Sequence, residues 1–294
     1  MKRNIYLKTI PPAEAVARVK ASIDREALIR EETIPSHEAS GRVLAHAVHA
    51  RYSSPTFHSA AMDGYAVNAR STFAAREGHP LTLKAGETCF AVNTGHPMPE
   101  GCDAVIMIEQ VVLDGGSVTI EAPAFPWQHV RRIGEDIVAT ELLFPRNHQL
   151  RPWDVGALLS GGIWDVPVWE RVTVRIIPTG DEVLDFTTHP DPGKGQVVES
   201  NSQMLAALAR ELGCVVERAA PVPDNPEALH QALKDSLDAG RHLTIFCAGS
   251  SAGSKDFTRA TLEKEGEILT HGIAAMPGKW CSASARQMTA NPAI

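Results

Sequence analysis

Four short phrases gather oxygen-bearing and charged side chains at the ends of apolar runs. They are "PTGDE" (178–182), "PVPDN" (221–225), "AGSSAG" (248–253) and "AMPGK" (275–279). In an open α/β sheet, ligands bind beyond the carboxyl ends of the strands. A parallel sheet would therefore bring Asp181, Glu182, Asp224, Ser250, Ser251, Asp256 and Lys279 to one edge. Those residue types suit an anion together with a hard divalent cation. The small residues of "AGSSAG" let backbone N–H groups approach an oxyanion, and its hydroxyls add donors. Carboxylates repel a phosphate group unless a cation such as Mg²⁺ stands between them. Each phrase also has an ordinary reading: "TGDE" as a turn, Asp224 as the cap of the helix opened by Pro226, Lys279 as a solvated lysine. "AGSSAG" lacks the lysine of a phosphate-binding loop. The joint placement on one edge is what favours binding.

A further carboxylate sits in "HSAAMDGYAV" (58–67), where Met62-Asp63-Gly64-Tyr65 interrupts an apolar run. Asp-Gly is a hairpin-turn signal, so local grounds favour a simple turn. Other chemistries are poorly supported. Twelve histidines and five cysteines form no H-E-x-x-H or C-x-x-C pattern. His58, His129 and His271 read as structural or surface residues.

The elements that must position these residues follow from periodicity. The 294 residues exceed one typical core, so two or three domains are expected. "PPAEAVARVKASIDREALI" spaces Val16, Val19, Ile23 and Leu28 as a helix with proline at its start. Residues 53–132 alternate short apolar runs with Gly and Pro and read as a β-rich module inserted between 1–52 and 133–170, the two parts of a helical domain. "WDVGALLSGGI" predicts a short helix ending at Gly161-Gly162. From Arg171 the pattern is strand–helix alternation. Helices are expected over "SNSQMLAALARELG", with Met204, Leu205, Leu208 and Leu212 on one face, over "DNPEALHQALKDSLDAG", capped by Asp224 or Asn225, and over "DFTRATLEKEG". Strands are expected over "RVTVRIIPTG", "CVVERAAPV", "HLTIFCAG" and "EILTHGIAA". The fold class is α/β and multidomain, with a parallel-sheet domain over 171–280 and an irregular tail over 281–294.

The net charge of −7 argues against non-specific binding to nucleic acid or anionic membranes. No apolar run approaches the ~18 residues of a membrane span. The start has no signal-peptide pattern, so a cytoplasmic location is expected.

Nine phrases in order resemble the molybdopterin molybdenumtransferases, the MoeA and gephyrin E-domain family. They are "EASGRVLAHAVHARYSSPTFHSAAMDGYAV", "NTGHPMPEGCDAVIMIE", "RRIGEDI", "GALLSGGIWDVPV", "PTGDEVL", "ESNSQMLAALARELG", "PDNPEAL", "AGSSAGSKDFT" and "PGK". The resemblance implies an elongated homodimer that inserts molybdate into adenylylated molybdopterin and releases AMP, with Mg²⁺. It implies acidic site positions at Asp63 and Asp136 and a substrate-contacting threonine at Thr94. It implies an acidic cluster of Asp181, Glu182, Asp224 and Asp256 that places Mg²⁺ and the pyrophosphate. Gly249, Ser250 and Ser251 match the loop that binds phosphate or pterin, and Pro277, Gly278 and Lys279 the molybdate pocket. An upstream adenylyltransferase and apo-molybdoenzymes are the implied protein partners. Asp63 would then present its carboxylate across the dimer cleft. The sequence departs from the family pattern at "HSAAM", at Met276 and after "PGK", where the family's last β-barrel domain is not found. It reads as divergent and truncated at its carboxyl end. The alternative expectation is a non-catalytic pterin-binding or scaffold protein, or an inactive truncated product.

Overall fold

The structure, a computed structural model, describes residues 9–24, 28–247, 257–275 and 282–285. Its helices are α1 (Pro12–Ser22), α2 (Pro152–Ser160), α3 (Asn201–Glu211), α4 (Pro226–Asp238) and α5 (Phe257–Glu265). Three of them open on proline, whose missing N–H would have had no intrahelical acceptor there. α1 is shorter than its spacing predicts: Ile23 is extended and ends it, and Ala15 is buried while Val16 is exposed. The chain separates into two units, Thr33–Val168 and Met1–Glu32 with Trp169–Ile294.

The unit Thr33–Val168 is built from short strands. β1 (Glu31–Pro35) pairs with β12 (Asp165–Trp169), β2 (Val48–His49) with β11 (Leu142–Phe144), and β3 (Ser59–Ala60) with β10 (Val130–Arg131). β4 (Gly64–Val67) lies between β6 (Cys89–Val92) and β7 (Ala104–Met107). β9 (Ser117–Ile120) lies between β5 (Leu81–Lys84) and β8 (Val111–Asp114). Successive residues of β4 face opposite ways, as the strand period requires. Val67 packs with Leu83, Ile106, Val118 and Ile120, whereas Ala66 packs with Ala60, Val92, Val105 and Val130. A separate cluster joins Leu44, Val48, Leu150, Leu158, Val166 and Val168. Within 33–52 and 133–168, expected to be helical, α2 is the one α-helix among the described residues, and short paired strands supply the rest.

In the other unit, β13 (Thr173–Pro178) is the centre of a parallel sheet, with β16 (Val215–Arg218) on one side and β17 (Leu243–Cys247) on the other. This is the expected parallel α/β arrangement. β14 (Val183–Leu184) and β15 (Val197–Val198) form a second parallel pair within the crossover from β13 to α3. Ala206 of α3 is buried against Val174 and Ile176. The helix meets the sheet through Ser202, Leu205, Ala206 and Ala209, so Met204, Leu208 and Leu212 of the expected apolar face stay exposed. Small side chains let the helix approach the sheet closely, which apolar spacing alone does not reveal.

Two expectations at the carboxyl end are corrected. β18 (Glu267–His271) is not a further parallel strand of this sheet; it pairs antiparallel with β19 (Ser282–Ala285), inside the segment expected to be irregular. Apolar periodicity marks a strand but not its partner. α1 packs on this hairpin, and the Arg18 guanidinium donates to the Leu269 carbonyl at 3.1 Å. No helix among the described residues is long and apolar enough to cross a membrane.

Candidate functional site

In the unit Thr33–Val168, Asp63 is not a hairpin turn. It stands where the chain leaves β3, whose partner is β10, and enters β4, whose partners are β6 and β7. Its carboxylate is held from 31 residues away: the Thr94 backbone N–H donates to Oδ1 at 2.7 Å and the Thr94 hydroxyl at 3.1 Å. These bonds favour the ionised form and hold the Asp63 carboxyl below its ordinary 3.8, the backbone bond contributing most and His96 adding a smaller electrostatic effect. A carboxyl lowered in this way stabilises the fold above its ordinary value, and that contribution is lost as pH falls through the lowered value. Thr94→Val removes one donor. The Asp63 pKa is expected to move up in a carboxyl NMR titration; an unchanged midpoint would rule out the hydroxyl as a contributor.

Gly64 is required beside it. A Cβ there would overlap the Ile106 carbonyl oxygen of the neighbouring strand. Gly64→Ala is expected to cost about 1–3 kcal/mol through forced backbone shifts and to disturb the Asp63–Thr94 pair. A thermal scan and the Asp63 titration check both effects.

β3 carries a partner on each side. The Ala60 N–H donates to the His96 carbonyl at 2.9 Å and the Gly95 N–H to the Ala60 carbonyl at 2.8 Å. On the other side, Ser59 pairs with Arg131 in the ladder to β10. Arg131 in turn grips Asp136 with two hydrogen bonds from Nη2, at 2.9 and 2.7 Å. Thr94 thus meets Asp63 just beyond β3, while Asp136 is held through Arg131 by β10, the partner of β3. Asp136 also raises the pKa of Arg131 further. Arg131 was not singled out from the sequence. Its signal was faint: a basic residue five positions before Asp136 in an irregular segment.

In the α/β unit, β13 ends at Pro178 and the next residues form a turn, with the Val183 N–H donating to the Gly180 carbonyl at 3.2 Å. Asp181 accepts a hydrogen bond from the Asp224 backbone N–H at 3.1 Å. The two phrases "PTGDE" and "PVPDN" therefore meet, as a parallel sheet predicts. Asn225, not Asp224, caps α4, accepting from the Ala228 N–H at 2.8 Å. The Asp224 carboxylate is thus not the helix cap. Glu182 folds back over Gly180, where a Cβ would lie 3.1 Å from Glu182 Oε2. Gly180 has φ +138°, which suits glycine.

Among the described residues, no group of three or more His, Cys, Asp or Glu side chains is assembled that could hold a metal ion. The donors present, Asp181, Glu182 and Asp224, are hard carboxylate oxygens of the kind Mg²⁺ prefers. Asp256, expected to complete the set, lies outside the described residues, as do Gly249, Ser250, Ser251, Pro277, Gly278 and Lys279.

A family model for the MoeA N-terminal region, domains I and II, matches residues 10–162. A second model, described as "probable molybdopterin binding domain", matches residues 175–293. The molybdopterin molybdenumtransferase of Synechococcus elongatus is 31% identical over 265 residues, covering 84% of this chain and 66% of that protein. That of Haemophilus influenzae is 33% identical over 268 residues, covering 84% and 63%. The crystal structure of the molybdopterin biosynthesis MoeA protein from Pyrococcus horikoshii superposes with a TM-score of 0.75 at 28% identity, covering 94% of this chain and 72% of that one. The chain spans about two thirds of the length of these curated relatives. Fold and matches together define a multidomain α/β protein with a domain of the molybdopterin-binding type. The chain belongs to the MoeA family.

Proposed function

We propose that this chain acts in molybdenum cofactor biosynthesis as a molybdopterin molybdenumtransferase. In this reading it joins molybdate to adenylylated molybdopterin and releases AMP. The observation that carries the reading is the meeting of Asp181 and Asp224 at the carboxyl end of the parallel sheet, where ligands of such sheets bind. The names of the relatives support the same reaction.

The residues divide the work by charge. Asp181, Glu182 and Asp224, with Asp256, would hold Mg²⁺, which when bound would screen the negative charge of the pyrophosphate. Asp181 is oriented for this by the Asp224 N–H. Gly249, Ser250 and Ser251 would bind the phosphate or pterin end, and Pro277, Gly278 and Lys279 the molybdate. Asp63, kept ionised by Thr94, and Asp136, gripped by Arg131, would supply fixed carboxylates to the substrate. Thr94 would also contact it. The working assembly in this proposal is a cytoplasmic homodimer that receives adenylylated pterin from an adenylyltransferase and passes cofactor to apo-molybdoenzymes.

The test is activation of an apo-molybdoenzyme. The purified chain is mixed with adenylylated molybdopterin, molybdate and Mg²⁺, and the activity recovered by the apoenzyme is measured. Activation that requires both molybdate and the chain is the expected outcome. Pterin binding without activation would replace this reading with that of a carrier or scaffold.

A further inference from the structure

We propose that Arg218 is a positioning residue for the site, clamping both ends of the β13-to-α3 crossover so that Asp181 stays fixed against Asp224. The proposal rests on the functional reading above for its catalytic consequence, but its geometry stands alone.

Arg218 closes β16 and is nearly buried, with 12% of its side chain exposed. Its guanidinium reaches two carboxylates that lie far apart in the chain. Nη2 donates to Asp185 Oδ1 at 3.1 Å and approaches Glu199 Oε2 at 3.5 Å. Nε donates to the Ser202 hydroxyl at 2.9 Å, and the guanidinium plane lies over the Phe186 ring, 4.5 Å from its centroid. Asp185 follows β14 directly, and Glu199 follows β15 directly. One cation therefore pins the segment just after each strand of the small parallel pair.

That pair is joined to the site with no slack. Asp181 and Glu182 immediately precede Val183, the first residue of β14. The Val197 N–H donates to the Glu182 carbonyl and the Glu199 N–H to the Leu184 carbonyl, both at 3.0 Å. The 186–196 stretch beyond the clamp is held mostly by its own short-range bonds, such as Gly193 N–H to Gln196 Oε1. Without Arg218, Asp185 and Glu199 would be two partly or fully buried carboxylates with no opposite charge to hold them together. Glu199 has a second task at the start of α3, where it accepts from the Ser202 N–H and the Ser202 hydroxyl. The clamp therefore also fixes where α3 begins. Glu199 lies near the end of β17 as well, since its charge adds to burial in pushing the Cys247 thiol up to about 11. Because Arg218 is the last residue of β16, the network sits at a strand end of the sheet that carries the site. Arginine suits this place because its planar fork engages two carboxylates at once; lysine keeps the charge and loses the fork.

The Asp224 amide reports directly on the position of Asp181, because it donates to Oδ1. Arg218→Lys is compared with the native chain for amide exchange at Asp224 and for AMP release at varied pterin concentration. Arg218→Met combined with Asp185→Asn serves as a second variant with less unpaired charge. The expected result is Asp224 exchange about 10-fold faster, with α4 unchanged, and kcat lower by about 10-fold at nearly constant KM. A merely structural role would instead speed exchange throughout β13, β16 and α3 and leave kcat per folded molecule unchanged. That result, or unchanged Asp224 exchange in both variants, overturns the proposal. If the native chain releases no AMP, the functional reading fails, and Asp224 exchange still decides whether Arg218 fixes the carboxylate.

Discussion

Asp181→Asn is expected to lower molybdate-dependent AMP release by about 100-fold or more, the scale of removing one preorganised charged group from a site. Asparagine retains an oxygen that accepts from the Asp224 N–H, so the turn keeps its geometry and only the charge is lost. Asp181 is exposed, and stability should therefore change by no more than about 0.5 kcal/mol. Turnover within a few-fold of the native value would remove Asp181 from the site. A large loss of stability would instead show that the carboxylate serves the fold.

Leu158→Ala tests the framework. Leu158 is fully buried on α2 among Leu44, Leu150, Val166 and Val168. Removing its side chain leaves a cavity and should cost about 2–5 kcal/mol. In calorimetry the transition of the unit Thr33–Val168 should fall by roughly 10 °C. A shift of one or two degrees would mean that α2 does not seal this core. The prediction concerns stability only, because none of the candidate site residues lies in that cluster.

Much of the α/β unit was legible because its signals are local. α4 shows proline at its first turn, asparagine before it and apolar spacing along one face. β13, β16 and β17 are apolar runs separated by helices, which leaves few topologies other than a parallel sheet. The meeting of Asp181 with Asp224 followed from that topology. What was not legible depends on long-range pairing. Asp63 looked like a turn because the sequence does not record that Thr94 reaches it from another loop. β18 looked like one more parallel strand because its partner, β19, lies in a segment with no period of its own. Arg218 gave no sign at all: a charged residue ending a strand reads as a solvated edge, and only the fold brings Asp185 and Glu199 to it. The family resemblance, in contrast, rested on short phrases in order, and those phrases take in buried core residues such as Leu44, Val67, Val105 and Leu158 as well as the turns and strand ends beside them.

In the proposed function the strand-end carboxylates serve molybdate-dependent cleavage of adenylylated molybdopterin. The most direct measurement is AMP released per chain, with Mg²⁺ present, in the presence and absence of molybdate. AMP is expected to appear only with molybdate and to be largely lost in Asp181→Asn. Release that is independent of molybdate, or undiminished by the substitution, would contradict the proposed function.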